Sequence, residues 1–281
     1  MRIAEILTRL SPVSAVLLAA PVVTAAPEPV LFAPGWGIER HGRKAFLPAR
    51  QGRVDVWQLR RLTGQSAPVT LVFTVLPTAR NVASVAHVDR EGATSSVYSP
   101  GFCRGAIAIS NGNFFLDDAQ GKRALGLLRV GGRQIAPTSR RRTGGFLTVD
   151  GQGRVAVLPR AMAARARAAA SAVESTPIII LGGRDAMRGD QRDRFDRIAV
   201  GHARDGATVM VGAFAQDQQT VSLAEFAKLT LAAASSQRVA LEGMLAMDGG
   251  PSAHLWFPAA GVLYGDRGPA YLPSAVCVTP R

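Results

Sequence analysis

Leu245-Ala246-Met247-Asp248-Gly249-Gly250-Pro251-Ser252-Ala253 is an apolar run that stops on a carboxylate, two glycines and a hydroxyl. The stretch from Gly243 to Met247 reads as a buried strand. Gly249 and Gly250 can take φ > 0 and leave their N–H groups bare, and successive amides in such a turn form a concave anion-binding nest. Asp248 then stands at a strand tip, with Ser252 returning a second polar group. The same residues also suit a plain Asp-Gly turn between strands, with the aspartate capping backbone N–H groups. A second stretch of the same kind favours a site: Asn111-Gly112-Asn113-Phe114-Phe115 follows the apolar run Ala106-Ile107-Ala108-Ile109-Ser110.

The 281 residues are enough for one large domain or two small ones, and 47% hydrophobic against 19% charged residues supplies a sizeable core. The 29 glycines suit many turns and short strands. At the N-terminus, Arg2 and Arg9 precede the apolar run Val13 to Val23, and Val23-Thr24-Ala25 offers small residues for cleavage. The run is too short for a stable membrane anchor, so residues 1–25 read as a signal peptide and the protein as periplasmic or secreted. Residues 26–99 then form opening strands and 100–281 the core of a single domain. The net charge of +13 falls only to +12 without residues 1–25, which hold Arg2 and Arg9 against Glu5. Arginine carries it, since Lys44, Lys122 and Lys228 are the only lysines. Such a surface suits anionic glycans, phosphate-bearing substrates or nucleic acid. Sparse aromatics, export and the lack of a nucleic-acid motif argue against the last. The two cysteines, Cys103 and Cys277, are not spaced as zinc ligands. In an oxidising compartment they either form a disulfide or remain two buried thiols.

Val54 to Leu59 and Val69 to Val75 are β-branched runs bounded by glycine and proline, and read as strands. Leu125–Val130 with Arg133–Ile135, and Phe146–Val149 with Val155–Leu158, read as hairpins. Ala33 to Lys44 is loop-like. Arg160 to Glu174 lacks Gly and Pro and is rich in Ala and Arg, which predicts a helix. Ser222 with Glu225 makes a capping box for a second helix, and Leu223, Phe226, Ala227, Thr230, Leu231 and Ala234 fall on one face of it. Strands Ile198 to Val200 and Ala207 to Val211 flank Arg204-Asp205-Gly206, and Ala275 to Val278 closes the chain. The expected fold is α+β: a mixed, largely antiparallel sheet with two main packed helices in a single domain.

Taken in order, these blocks resemble the phosphodiester glycosidase family. Cys103 through Phe115 is similar to its cysteine-strand-Asn-Gly-Gly-Phe-Phe element, and Ser175-Thr176-Pro177 before Ile178 to Leu181 to its Ser-Gly-Pro strand. Arg197-Ile198-Ala199-Val200-Gly201 resembles its Arg-Thr-Ala-Ile-Gly. Met247 to Ser252 stands for its Leu-Asp-Gly-Gly-Gly-Ser motif, and Ser274 to Val278 for its closing strand. Asn113 replaces a glycine, Pro251 replaces the third glycine, and Ala246, Ala270 and Ser274 depart from the family's residues.

The resemblance implies hydrolysis of a sugar-1-phosphodiester at the anomeric carbon. The diester anion is held, the oxocarbenium-like charge stabilised, and water or a nucleophile delivered by a carboxylate. The expected catalytic residues are Asp248, Asn111 and Arg197. Asp248 is the nucleophile, base or electrostatic stabiliser, and Arg197 the cation on the phosphodiester. Asn113, Gly249, Gly250, Ser252 and Asp117 are the expected substrate-binding residues. His254, just past the motif, ranks below Asp248. A divalent cation is compatible with an oxygen-rich cluster, but no ligand loop is visible and no metal ligand is assigned. The expected partner is a glycan or sugar phosphate. The family departures keep an alternative open: a non-catalytic glycan- or polyanion-binding protein with the same fold.

Overall fold

A computed structural model describes residues 30–63, 67–87, 103–118, 121–189, 192–216, 220–265 and 272–281. Residues 1–25, Ala270 and the Asp117 side chain lie outside the described residues.

The central element is a nine-stranded sheet. Its strands lie in the order Val30–Ala33, Trp36–Lys44, Arg53–Arg61, Val69–Leu76, Thr208–Phe214, Arg197–Ala203, Leu241–Ala246, Ile178–Leu181 and Arg184–Asp185. Every pairing in it is antiparallel. Side chains alternate across a strand, so the central strands feed two cores. Leu71, Phe73, Val209 and Val211 face one side and Val72, Ile198, Val200 and Met210 the other.

On the first side lies the helix Leu223–Ser236, which buries Phe226, Ala227, Leu229, Thr230, Ala233 and Ala234. Its expected capping box is present: Glu225 N–H donates to Ser222 Oγ, and Ser222 N–H to the Glu225 carboxylate. The same carboxylate pairs with Arg61, whose guanidinium lies 4.4 Å from the Trp36 ring and donates to the Thr220 carbonyl. That ties the first strands to the helix start.

The second side is covered by two five-stranded sheets. One runs Arg133–Ala136, Leu128–Val130, Ser171–Ser175, Gly145–Val149, Val155–Pro159. The other runs Val262–Tyr264, Leu255–Phe257, Ala108–Asn111, Ser274–Pro280, Asn81–His87. Leu128, Leu147, Val173, Leu255 and Val276 pack between them and the large sheet. Full burial of such a side chain contributes about 1.5–3 kcal/mol.

Three expectations need correction. The fold is mainly β, with α-helix among the described residues limited to Ala163–Ala168 and Leu223–Ser236, so the α+β description holds only in part. The sheets are antiparallel throughout these pairings, not mixed. The helix expected over Arg160 to Glu174 is a 3-10 turn, one short α-helix and then the strand Ser171–Ser175. That strand pairs along its length with Gly145–Val149, and sheet partners outweigh a weak local helix preference. Ala33 to Lys44, expected as loop, is mostly strand. Among the described residues no helix is long and apolar enough to cross a membrane.

Candidate active site

Ala108–Asn111 and Leu241–Ala246 belong to different sheets, yet they end at one place. Asp248 N–H donates to the Gly112 carbonyl at 3.1 Å. Asn111 bridges the same gap: its Nδ2 donates to the Asp248 carbonyl at 2.8 Å, and its Oδ1 accepts from His254 N–H at 3.0 Å. Asn111 is only 2% exposed, and leaving either group unmatched there costs about 1–3 kcal/mol. The amide supplies a donor and an acceptor on separate atoms, one for each partner. Both ends of the Asn111 amide, expected among the catalytic residues, are thus engaged by the protein itself. The main chain of Asp248 is held on both sides, and the residue is half-buried.

The turn after Asn111 lies hard against the closing strand. A Cβ on Gly112 would sit 2.2 Å from Ser274 Oγ, so only glycine permits the approach. Ser274 Oγ accepts from Asn113 N–H at 3.3 Å and donates to Asn113 Oδ1 at 2.6 Å. Asn113 Nδ2 is buried and, among the described residues, has no acceptor. Cys103 and Cys277 are joined as a disulfide, Cα atoms 5.8 Å apart. It fastens the segment leading into Ala108–Asn111 to the closing strand, where Ala275 pairs with Asn111.

Arg197 opens the strand beside Leu241–Ala246. Its Nε donates to the Val221 carbonyl at 3.2 Å and its Nη2 to the Asp193 carbonyl at 2.6 Å, with the guanidinium 5.2 Å from the Phe195 ring. Nη1 lies 3.5 Å from where a Cβ on Gly249 would stand, which places the cation against the Asp248 turn. Burial lowers its pKa to about 10, while Asp193 and Asp196 pull it upward. It remains charged at neutral pH.

The expected two-glycine nest is not formed. Gly249 is extended, with φ −103°. Gly250 takes φ +60°, but its N–H donates to the Asp196 carbonyl at 2.8 Å. The chain then turns through Gly250–Ser252, with Ala253 N–H on the Gly250 carbonyl. Ser252 is buried, and its carbonyl lies 2.9 Å from Nδ1 of the buried His254.

A groove of about 990 Å³ opens beside this junction, lined in part by Phe114, Arg142, Thr176, Pro177 and Arg188. The Pro177 carbonyl accepts from Ala246 N–H at 2.9 Å, which sets one wall of the groove on the strand leading to Asp248, although Asp248, Asn111 and Arg197 are not among its lining residues. Arg142 and Arg188 are not among the residues expected at the site from the sequence. In a chain this rich in arginine, neither carried a signal apart from solvated surface. Among the described residues no group of three His, Cys, Asp or Glu side chains could hold a metal ion.

Among solved structures, the chain is similar to the catalytic domain of zebrafish N-acetylglucosamine-1-phosphodiester alpha-N-acetylglucosaminidase, auto-inhibited by its pro-peptide. The TM-score is 0.61 at 16% identity, over 86% of this chain and 88% of that one. A Synechocystis protein superposes with TM-score 0.53 at 14% identity, over 81% and 62% of the two chains. A Burkholderia pseudomallei protein described as exported does so with TM-score 0.54 at 14% identity, over 79% and 76%. Identities this low establish the fold alone. No curated protein matches in sequence. Residues 104–279 match the phosphodiester glycosidase family. With that match covering more than half of its length, the chain belongs to the phosphodiester glycosidase family.

Proposed function

We propose that this protein is an exported hydrolase that cleaves a sugar-1-phosphodiester on a glycan or cell-wall polymer. Water's oxygen ends on the anomeric carbon, the C1–O bond breaks, and the phosphate departs as a monoester with the bridging oxygen. The observation that carries the reading is the junction itself. Asp248 is held through its main chain by Gly112 and by the buried Asn111 amide, with the Arg197 cation packed against the same turn. Asp248 serves as nucleophile or base at the anomeric carbon. Arg197 offsets the charge of the diester and of the departing phosphate, which needs little protonation. Asn113 Nδ2, a buried donor without an acceptor among the described residues, suits a substrate oxygen. Export is supported by the N-terminal signal pattern and by the disulfide.

A second reading is that the chain binds glycans without cleaving them. It is favoured by the Gly250 amide, which is taken up by the Asp196 carbonyl. Assaying the intact protein and Asp248→Asn on UDP-linked and aryl-linked sugar-1-phosphodiesters separates the two. Release of free sugar by the wild type and its loss in the variant supports hydrolysis. No turnover of any such diester, with glycan binding retained, establishes the binder instead.

A further inference from the structure

At the far end of the large sheet from Asp248, three turns bring arginines together. Arg50 and Arg53 lead into the strand Arg53–Arg61, Arg204 follows the strand Arg197–Ala203, and Arg238 follows the helix Leu223–Ser236. All four line one groove of about 770 Å³. Arg197 and Ala203 are the two ends of one seven-residue strand, which puts the groove about 20 Å from the candidate active site.

Several features mark it as more than a solvated arginine surface. Only three non-glycine residues among those described have left-handed backbone: Arg50 at φ 71°, Cys103 at φ 53° and Arg238 at φ 54°. Two of the three are arginines in this groove, at positions where asparagine or glycine sits more comfortably. Arg53 Nη2 donates to the Gln237 carbonyl at 2.7 Å, which joins two of the turns. Its Nε is buried and, among the described residues, has no acceptor. The two acids nearby, Asp205 in the same lining and Glu242 beside Arg204, offset only part of the charge of four arginines. Asp205 Oδ1 accepts from Ala207 N–H within its own turn, and Glu242 lies 3.5 Å from Arg204 alone. The remaining lining is aliphatic or glycine, including Val75, Pro77 and Val239, with no aromatic ring among the described residues.

Arginine forks from separate segments suit several phosphates better than one. A groove without aromatic rings has no platform on which nucleic-acid bases stack. The geometry points to a second anion site here, which takes a chain of closely spaced phosphate groups carrying no aromatic bases. It is independent of the hydrolase reading, since it uses none of Asp248, Arg197 or Asn113.

The test is calorimetric titration of the intact protein with inorganic tripolyphosphate, a glycerol-phosphate oligomer, and single-stranded DNA of matched charge. The expected result is one site per chain for tripolyphosphate or for the glycerol-phosphate oligomer. Arg50→Asn with Arg238→Asn weakens it about tenfold or more, the scale of lost charge-assisted bonds. Asparagine accepts the left-handed backbone, so the double variant keeps its fold, which thermal unfolding checks. Arg165→Gln with Arg167→Gln removes the same charge from the exposed helix Ala163–Ala168 and leaves affinity within about twofold. Preference for tripolyphosphate identifies free polyphosphate as the ligand, and preference for the oligomer a phosphodiester-linked polymer. Either upholds the site. The proposal is overturned by no binding of either probe, by binding unchanged in the groove variant, by equal weakening in both double variants, or by DNA binding as tightly as the better probe. Asp248→Asn leaves this binding intact, so its failure and that of the hydrolase reading are separable.

Discussion

Glu174 and Asp248 are both carboxylates at the edge of a core, and the fold treats them in opposite ways. Glu174, on the strand Ser171–Ser175, is buried, and its carboxylate accepts from Leu127 N–H, Ser139 N–H, the Ser139 hydroxyl and the Arg160 guanidinium. Burial by itself would raise its pKa, but these bonds outweigh burial and hold it below the usual 4.5. Gly126, at φ +103°, lies over it so closely that a Cβ would fall 2.7 Å from its carboxyl carbon. At Asp248 the main chain is clamped at both its N–H and its carbonyl, and the side chain is half-buried rather than enclosed. A carboxylate enclosed by donors stabilises the ionised form and has no room for a substrate. One clamped through its backbone keeps its place with its side chain only half-buried.

The sharpest way to break this contrast is to neutralise each carboxylate in turn. Asp248→Asn is expected to lower sugar-1-phosphodiester turnover by about 10²–10⁴-fold and to shift unfolding free energy in urea by no more than about 0.5 kcal/mol. Turnover within tenfold of wild type would remove Asp248 from the chemistry. Glu174→Ala is expected to behave inversely, costing about 3–5 kcal/mol in urea unfolding because Arg160 loses its buried partner. Any turnover lost should track the unfolded fraction. Asn111→Ala tests the clamp between them in kind. It removes two buried hydrogen bonds, for about 2–4 kcal/mol, and lowers kcat more than KM because Asp248 is displaced while substrate contacts remain. A change in KM alone would instead make Asn111 a substrate-binding residue.

The smallest expected effect is a pH dependence. Glu174 has a folded pKa below its unfolded value. Its contribution to stability is therefore fully present above about pH 4.5 and is lost as pH falls through the lower folded value. Glu174→Gln should flatten that acid limb of the unfolding free energy. An unchanged limb would assign acid loss to other carboxylates.

How much was legible follows from where each interaction finds its partner. The capping box of Ser222 and Glu225 was readable because both residues lie in one helical turn. β-branched runs bounded by glycine and proline made Val54 to Leu59 and Val69 to Val75 readable as strands. The stretch Ser171–Ser175 was misread because alanine and arginine before it favour a helix, while its actual partners come from Gly145–Val149 and from Glu174's distant donors. Trp36–Lys44 was misread because glycines and charged residues on a partly exposed strand mimic a loop.

At the site, the sequence by itself determined that two glycine-flanked polar tips end buried strands, because that pattern is local and follows from side-chain period and backbone freedom. Tertiary structure alone decided how their hydrogen-bonding groups are used. Asp196 takes the Gly250 amide that the local turn would have left for an anion, and the Asn111 side chain is closed by Asp248 and His254. Arg50, Arg204 and Arg238 meet only because three turns come together at one end of a sheet. A residue's chemistry is written in the chain, but its partner is set by which segments fold against it, and no local pattern carries that.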